Sequence, residues 1–169
     1  EIKVIAITHE HIDHIKGLKP LLSKTQASLI ASKETLDALI SLDKIPAKTN
    51  VICIEKKAVD INGIEISRFS TSHDCAGSSG YNLKLPDNKK VSVCTDLGII
   101  TKQVSNCLLG SDLVLLESNH DIEMLKKGPY PPHLKVRILS DKGHISNNVC
   151  AAELQKLLKS GTKRFILGH

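Results

Sequence analysis

Residues 3–8, KVIAIT, form an unbroken apolar run rich in β-branched side chains, the pattern of a buried strand, and the run stops at the polar cluster HEHIDH. Next, IKGLKPLL predicts a short helix, SLIAS a strand, KETLDALISL a helix with apolar residues at helical spacing, and NVICI another strand. The pattern then changes. AVDINGIEISRFS carries Asn62-Gly63 between two strand-like runs, a strong hairpin signal, and YNLKLPDNKKVSVC predicts a second hairpin turning at residues 86–88. Beyond Asp96, helix and strand alternate again: a helix near 99–109, the strand DLVLLE, helices at IEMLKK, near 132–139 and over NNVCAAELQKLLKSG, then the strand RFIL. Two stacked sheets with helices outside would cover every apolar face in this series, which predicts an α/β (α+β) fold of four layers, αββα. With 169 residues and no internal repeat or long linker, the expectation is one domain spanning residues 1–169.

Composition narrows the class. Hydrophobic residues at 41% and charged residues at 24% are ordinary for a globular chain and exclude a collagenous or largely disordered one. No apolar run approaches the roughly 20 residues of a membrane-spanning helix, and residues 1–8 lack the basic start and cleavage site of a signal peptide. The five cysteines are odd in number, widely spaced and free of CxxC pairs, which points to a reducing cytoplasm. The net charge of +5 is uneven: residues 126–169 hold seven Lys and two Arg against Asp141 and Glu153. Such a half can face an anion or simply be solvated. The aromatics are Phe69, Tyr81, Tyr130 and Phe165, too few for a base-stacking platform, so a nucleic acid would be held mainly through its phosphates.

The chemistry concentrates in HEHIDH, where His9, His11, Asp13 and His14 fall directly after a strand. On an extended segment His9 and His11 share a side, and the following turn carries Asp13 and His14 to a neighbouring point, which makes two adjacent metal positions. Imidazole and carboxylate suit divalent zinc or manganese, and two such ions lie roughly 3.5–4 Å apart in known sites. The missing ligands have candidates just past later apolar runs: His73 after EISRFSTS, Asp96 after KVSVCT and His169 after KRFIL. The expected sets are His9, His11 and His73 on one ion and Asp13, His14 and His169 on the other, with Asp96 bridging. Spacing alone leaves His144 open as the last ligand in place of His169.

THEHIDHIKGL, TSHD, CTDLG and the terminal LGH resemble the metallo-β-lactamase superfamily, whose signature is HxHxDH followed by separated His, Asp and His ligands. TSHDCAGSSGYNL, LLESNHDIEML, KGPYP and ILSDKGHISN further resemble its WalJ/YycJ-type branch, regarded as DNA exonucleases and related in active-site logic to ribonucleases Z and J. The resemblance implies an αββα sandwich and two-metal hydrolysis. It also implies that His144 serves the leaving group while His169 binds metal, and that Glu117, at the end of DLVLLE, orients His144. A carboxylate does this by fixing the tautomer and favouring imidazolium. The corresponding mechanism is hydrolysis of a DNA phosphodiester by a hydroxide bridging two ions, with Asp13 and Asp96 in the catalytic set and His144 as proton donor.

Four further residues are candidates for substrate contact: Ser78 and Ser79 in GSSG, where backbone N–H groups and hydroxyls could grip a phosphate, His120 beside Glu117, and Asn147 after GHI. A turn explains GSSG equally well, and helix capping suits Asp121 and the Ser146-Asn147 pair. Two rival functions share the ligand set: a thioester or lactone hydrolase, and a metal- or DNA-binding module without catalysis. The resembling family has further strands before this chain's first one and more chain after its last histidine, so the first sheet is expected to be incomplete. An exposed edge of this kind could drive association.

Overall fold

The computed structural model describes residues 2–169; Glu1, on which the sequence opens, lies outside them. The chain runs through β1 (Val4–Ala6), α1 (Ile12–Ile15), α2 (Leu18–Lys24), β2 (Ser28–Ala31), α3 (Lys33–Ser41) and β3 (Val51–Cys53). Then follow β4 (Val59–Ile61), β5 (Ile64–Ser70), β6 (Ser79–Lys84), β7 (Lys90–Cys94), α4 (Lys102–Leu108) and β8 (Leu113–Glu117). The last elements are α5 (Ile122–Lys127), α6 (Pro132–Ile138), α7 (Asn147–Lys159) and β9 (Arg164–Gly168).

β1, β2 and β3 pair in parallel as one sheet, with β1 at an edge. The other sheet has the order β4-β5-β6-β7-β8-β9, antiparallel as far as β7 and parallel from β7 to β9. Both hairpins form where turn chemistry places them. Asn62 and Gly63 take φ of 55° and 80°, the left-handed pair that a two-residue turn needs, and Asn88 turns the second hairpin at φ 62°.

Alternation along each strand sorts side chains between layers. Ile30, Ile54, Ile66 and Tyr81 meet between the sheets. On the far side of the first sheet, Leu29 and Ala31 pack with Ile15, Leu18, Leu22, Leu36 and Leu39 from α1, α2 and α3. On the far side of the second, Phe69, Val114 and Leu116 pack with Val104 and Leu108 of α4 and Cys150 and Leu157 of α7. The result is the αββα stack, with three described strands in the first sheet against six in the second.

Two boundaries differ from the expectation. The helix expected over IKGLKPLL is displaced to Leu18–Lys24, and a separate four-residue turn, α1, forms inside HEHIDHI. Pro20 is tolerated because it sits in the first turn of α2, where a missing N–H removes no intrahelical bond. Caps define other starts: Ser32, Thr101, Asp121 and Ser146 each accept a hydrogen bond from the backbone N–H three residues on.

Candidate metal centre

The strands deliver their carboxyl ends to one place. β5, β7, β8 and β9 run the same way in the second sheet, so His73, Asp96, Glu117 and His169 emerge at one edge. β1 is held to that sheet by Tyr81 Oη donating to Ile7 O at 2.7 Å and by Ser79 N donating to Thr8 O at 3.0 Å. His9 and His11 therefore arrive on an extended segment, and α1 winds Asp13 and His14 round beside them.

The grouped side chains fall into overlapping sets. His9, His11 and His73 place ligand atoms within 4.8 Å of one another, as do Asp13, His14 and His169, and as do His9, His14 and Asp96. Asp96 lies against both triads: Oδ2 is 3.5 Å from His14 Nε2, while Oδ1 is 3.1 Å from His169 Nε2 and 3.8 Å from His73 Nε2. Its backbone has φ 58°, a left-handed conformation that costs energy for a residue with a side chain. The turn is braced by Leu97 N donating to Glu117 Oε2 at 3.0 Å and Gly98 N donating to Ser72 O at 2.8 Å.

Two buried atoms in this cluster have no hydrogen-bond partner: His9 Nε2 and Asp96 Oδ2. Burying a polar atom unpaired is costly, and a lone pair of an imidazole and one of a carboxylate aimed into a set of like donors are suited to a divalent cation. Burial, reinforced by the neighbouring His14, His11 and His73, lowers His9 to a pKa of about 3, so its ring is neutral and able to coordinate. Burial also lowers His73, against the pull of Asp96. The donor set fits divalent metal.

Glu117 is fully buried behind the cluster. Its Oε1 accepts from His144 Nδ1 at 2.6 Å and from His169 Nδ1 at 3.0 Å. Burial alone would raise this carboxyl; the bonds from His144, His169 and Leu97 outweigh it and hold the pKa below the usual value. The same contact to Glu117 raises His169. The rings of His144 and His169 stack with centroids 5.0 Å apart. Sequence reasoning paired Glu117 with His144 and missed its hold on His169.

Sequence reasoning also missed Asp74 and Arg137. Asp74 Oδ1 stands 3.5 Å from both His11 Nε2 and His73 Nε2, and the carboxylate is gripped by Nε and Nη2 of Arg137. The Arg137 hydrogen bond, opposed by partial burial, lowers Asp74 to about 2. Its adjacency to His73 in TSHD was a signal for Asp74; for Arg137, 63 residues away, there was none. His73 Nδ1 donates to Gly143 O at 3.2 Å, which fixes the tautomer and turns Nε2 toward the cluster.

The candidate substrate contacts fare unequally. Ser78 and Ser79 are buried and their hydroxyls are committed: Ser78 Oγ bonds Thr71 Oγ1 at 2.5 Å, while Ser79 Oγ accepts from Arg68 Nη1 and donates to Gly77 O, each at 2.9 Å. β6 begins at Ser79 and a Cβ on Gly77 would stand 2.3 Å from Ser32 Oγ, so GSSG leads directly into a strand, the alternative reading of that segment. His120 and Asn147 line a cleft beside the cluster, with Asn147 N donating to His120 O at 2.9 Å. Asp121 caps α5, as the alternative reading of that residue held.

The family model for the beta-lactamase superfamily domain matches residues 1–169. The chain belongs to this superfamily. It is 35% identical over 170 residues to exodeoxyribonuclease YycJ of Bacillus anthracis, covering 100% of this chain and 64% of that protein. Exodeoxyribonuclease WalJ of Streptococcus pneumoniae is 35% identical over 172 residues, with the same coverage. The superfamily member described here thus spans about 64% of the length of the curated relatives it matches. Among solved structures, a diphosphatase of the PhnP family superposes with TM-score 0.72 at 18% identity, over 99% of this chain and 59% of that one. Zn(2+)-bound PqqB of Methylobacterium extorquens superposes with TM-score 0.67 at 16% identity, over 99% and 71%. These likenesses establish the metallo-β-lactamase fold.

Proposed function

We propose that this chain carries the active site of a metal-dependent phosphodiesterase that cleaves DNA, using two divalent ions, zinc or manganese. The observation that carries the reading is the Glu117–His144 pair at 2.6 Å, set against the edge of the histidine–aspartate cluster. A carbonyl hydrolase has less need of a dedicated histidine donor. The names of the relatives, both exodeoxyribonucleases, point the same way.

Two triads hold the ions in this reading, His9, His11 and His73 for one and Asp13, His14 and His169 for the other, with Asp96 between them. Divalent ions held there supply positive charge that acidifies water and neutralises phosphate oxygens. Glu117 accepts from His144 Nδ1 at 2.6 Å, which fixes the ring and its tautomer, so the other ring nitrogen is the one placed to give a proton to the departing sugar oxygen. His120 and Asn147 contact the strand. The five cysteines, all free thiols, suit the reducing cytoplasm in which such an enzyme would meet DNA.

The test is to purify the protein without chelator, measure metal per chain, and assay labelled DNA, a phosphodiester ester and a thioester with added manganese. About two metals per chain and DNA cleavage abolished by Asp96→Asn are expected. His144→Ala should keep its metal and lose about 100- to 10,000-fold in turnover, the worth of a general acid. Thioester turnover alone would transfer the site to carbonyl chemistry, and metal binding without any turnover would make the chain a binding module.

A further inference from the structure

The four aromatic side chains of this chain are unequally placed. Phe69 and Tyr81 are buried and Phe165 is half-buried, whereas Tyr130 is 53% exposed. Tyr130 lies in the turn between α5 and α6 and lines a cleft of about 520 Å³, within the range of ligand-sized clefts. Met124, 75% exposed, lines the same cleft, as does Pro129. Large apolar side chains left in water at a concavity mark a surface that is covered by something else.

The cleft adjoins the candidate centre through its polar lining. Residues 118–120 follow Glu117 directly, and they are bonded to the segment that carries His144: Asn119 N donates to Ile145 O at 3.2 Å, and His120 bridges to Ser146. Asn119 Nδ2 donates to His169 O at 2.8 Å. The lining thus has an apolar part with one exposed ring and a polar part bearing His120, Asp121 and Asn147, whose Oδ1 accepts from Ser118 Oγ at 2.9 Å, while Asn119, with both ends of its amide bonded, ties the cleft to His169 and His120. Lys126 and Lys127 end α5 between Leu125 and Gly128 of the lining, with Lys126 Nζ donating to Glu123 Oε1 at 3.2 Å.

We infer that this cleft receives one nucleobase of the substrate, on the leaving-group side of the scissile phosphate, with the base against Tyr130 and Met124 and its edge toward the Asn147 amide. The inference rests on the nuclease reading above and deepens it. A base is flat, has an apolar π-face for an aromatic ring and a polar rim for amides, which is the combination the cleft presents. The scarcity of aromatic residues is therefore compatible with stacking at a single position.

Two measurements test this. Turnover is compared on a thymine dinucleoside monophosphate and on its two analogues lacking one base, the leaving side being the product that emerges without phosphate. Deleting the leaving-side base should lower kcat/KM by about 5- to 100-fold, the worth of one base–aromatic contact. Tyr130→Ala should erase that difference, and Tyr130→Phe, which keeps the ring, should retain it. The second measurement is tyrosine emission. The chain has no Trp, and its other tyrosine, Tyr81, is buried, so thymidine 5′-monophosphate should quench emission from Tyr130 while deoxyribose 5-phosphate does not. Cleavage with no quenching and no preference for the base would overturn the cleft assignment and leave the nuclease reading standing. Base-dependent quenching with no phosphodiester cleavage would support the cleft and overturn the nuclease reading.

Discussion

Glu117 answers to two imidazoles through one oxygen, which makes it the residue on which the centre's orientation depends. Glu117→Gln keeps the shape but replaces a charge-assisted acceptor with a weaker amide that also carries donors. It should lower turnover by about 10- to 100-fold, the usual effect of losing a ligand's outer partner, while circular dichroism stays unchanged. Asp74 gives a second residue-scale expectation. Its folded pKa of about 2 lies below the ordinary aspartate value of 3.8, so the stability it contributes is present above about pH 4 and is lost as pH falls through about 2. Urea melts between pH 5 and 2.5 should therefore show a shallower loss in Asp74→Asn than in the parent. The effect will be modest, because both partners are part-exposed and screened by solvent. The clustering of HEHIDH was legible because its side chains are neighbours in sequence and a strand followed by a turn converts that spacing into geometry. The Asp74–Arg137 pair was not, since its partners stand 63 residues apart with no local pattern to join them, whereas GSSG was legible as a turn leading into a strand and Ser79 opens β6.

At the level of elements, the segment from α6 to α7 does more than carry His144. It holds Asp74 through Arg137, orients His73 through Gly143 O, and closes on itself through His144 N donating to Ile138 O at 3.0 Å. Gly143 permits this closeness: a Cβ there would stand 2.2 Å from the carbonyl oxygens of Arg137 and Ile138. Gly143→Ala should cost about 1–3 kcal/mol in chemical denaturation, as overpacking does, and should reduce turnover because His144 is the next residue. The first hairpin was readable because Asn62-Gly63 demands a particular backbone, the second from the turn residues Pro86, Asp87 and Asn88, and α3, α5 and α7 because caps and apolar spacing agree. The turn α1 was hidden by its length: four residues carry no periodicity, and its polar members serve the cluster rather than the core.

For the whole molecule, the αββα arrangement followed from the order of strand-like and helix-like runs, and the family resemblance agreed with it. What that order does not contain is the parallel pairing of β7, β8 and β9, which aligns their carboxyl ends and so brings together side chains 73 residues apart, Asp96 and His169. Because the cluster buries unpaired donors, cation binding should stabilise the fold, by about 2.7 kcal/mol when free metal exceeds its Kd 100-fold. Chelation with EDTA should therefore lower Tm by roughly 5–10 °C, and zinc or manganese should restore it; an unchanged Tm would count against metal at these residues. The triads also draw their members from opposite layers, with His9, His11, Asp13 and His14 arriving from β1 and His73, Asp96 and His169 from the six-stranded sheet. A single ion held in either triad would then be a rivet through the sandwich. It would join an edge strand of only three residues to the larger sheet, so that the integrity of the smaller sheet and the occupancy of the centre would stand or fall together.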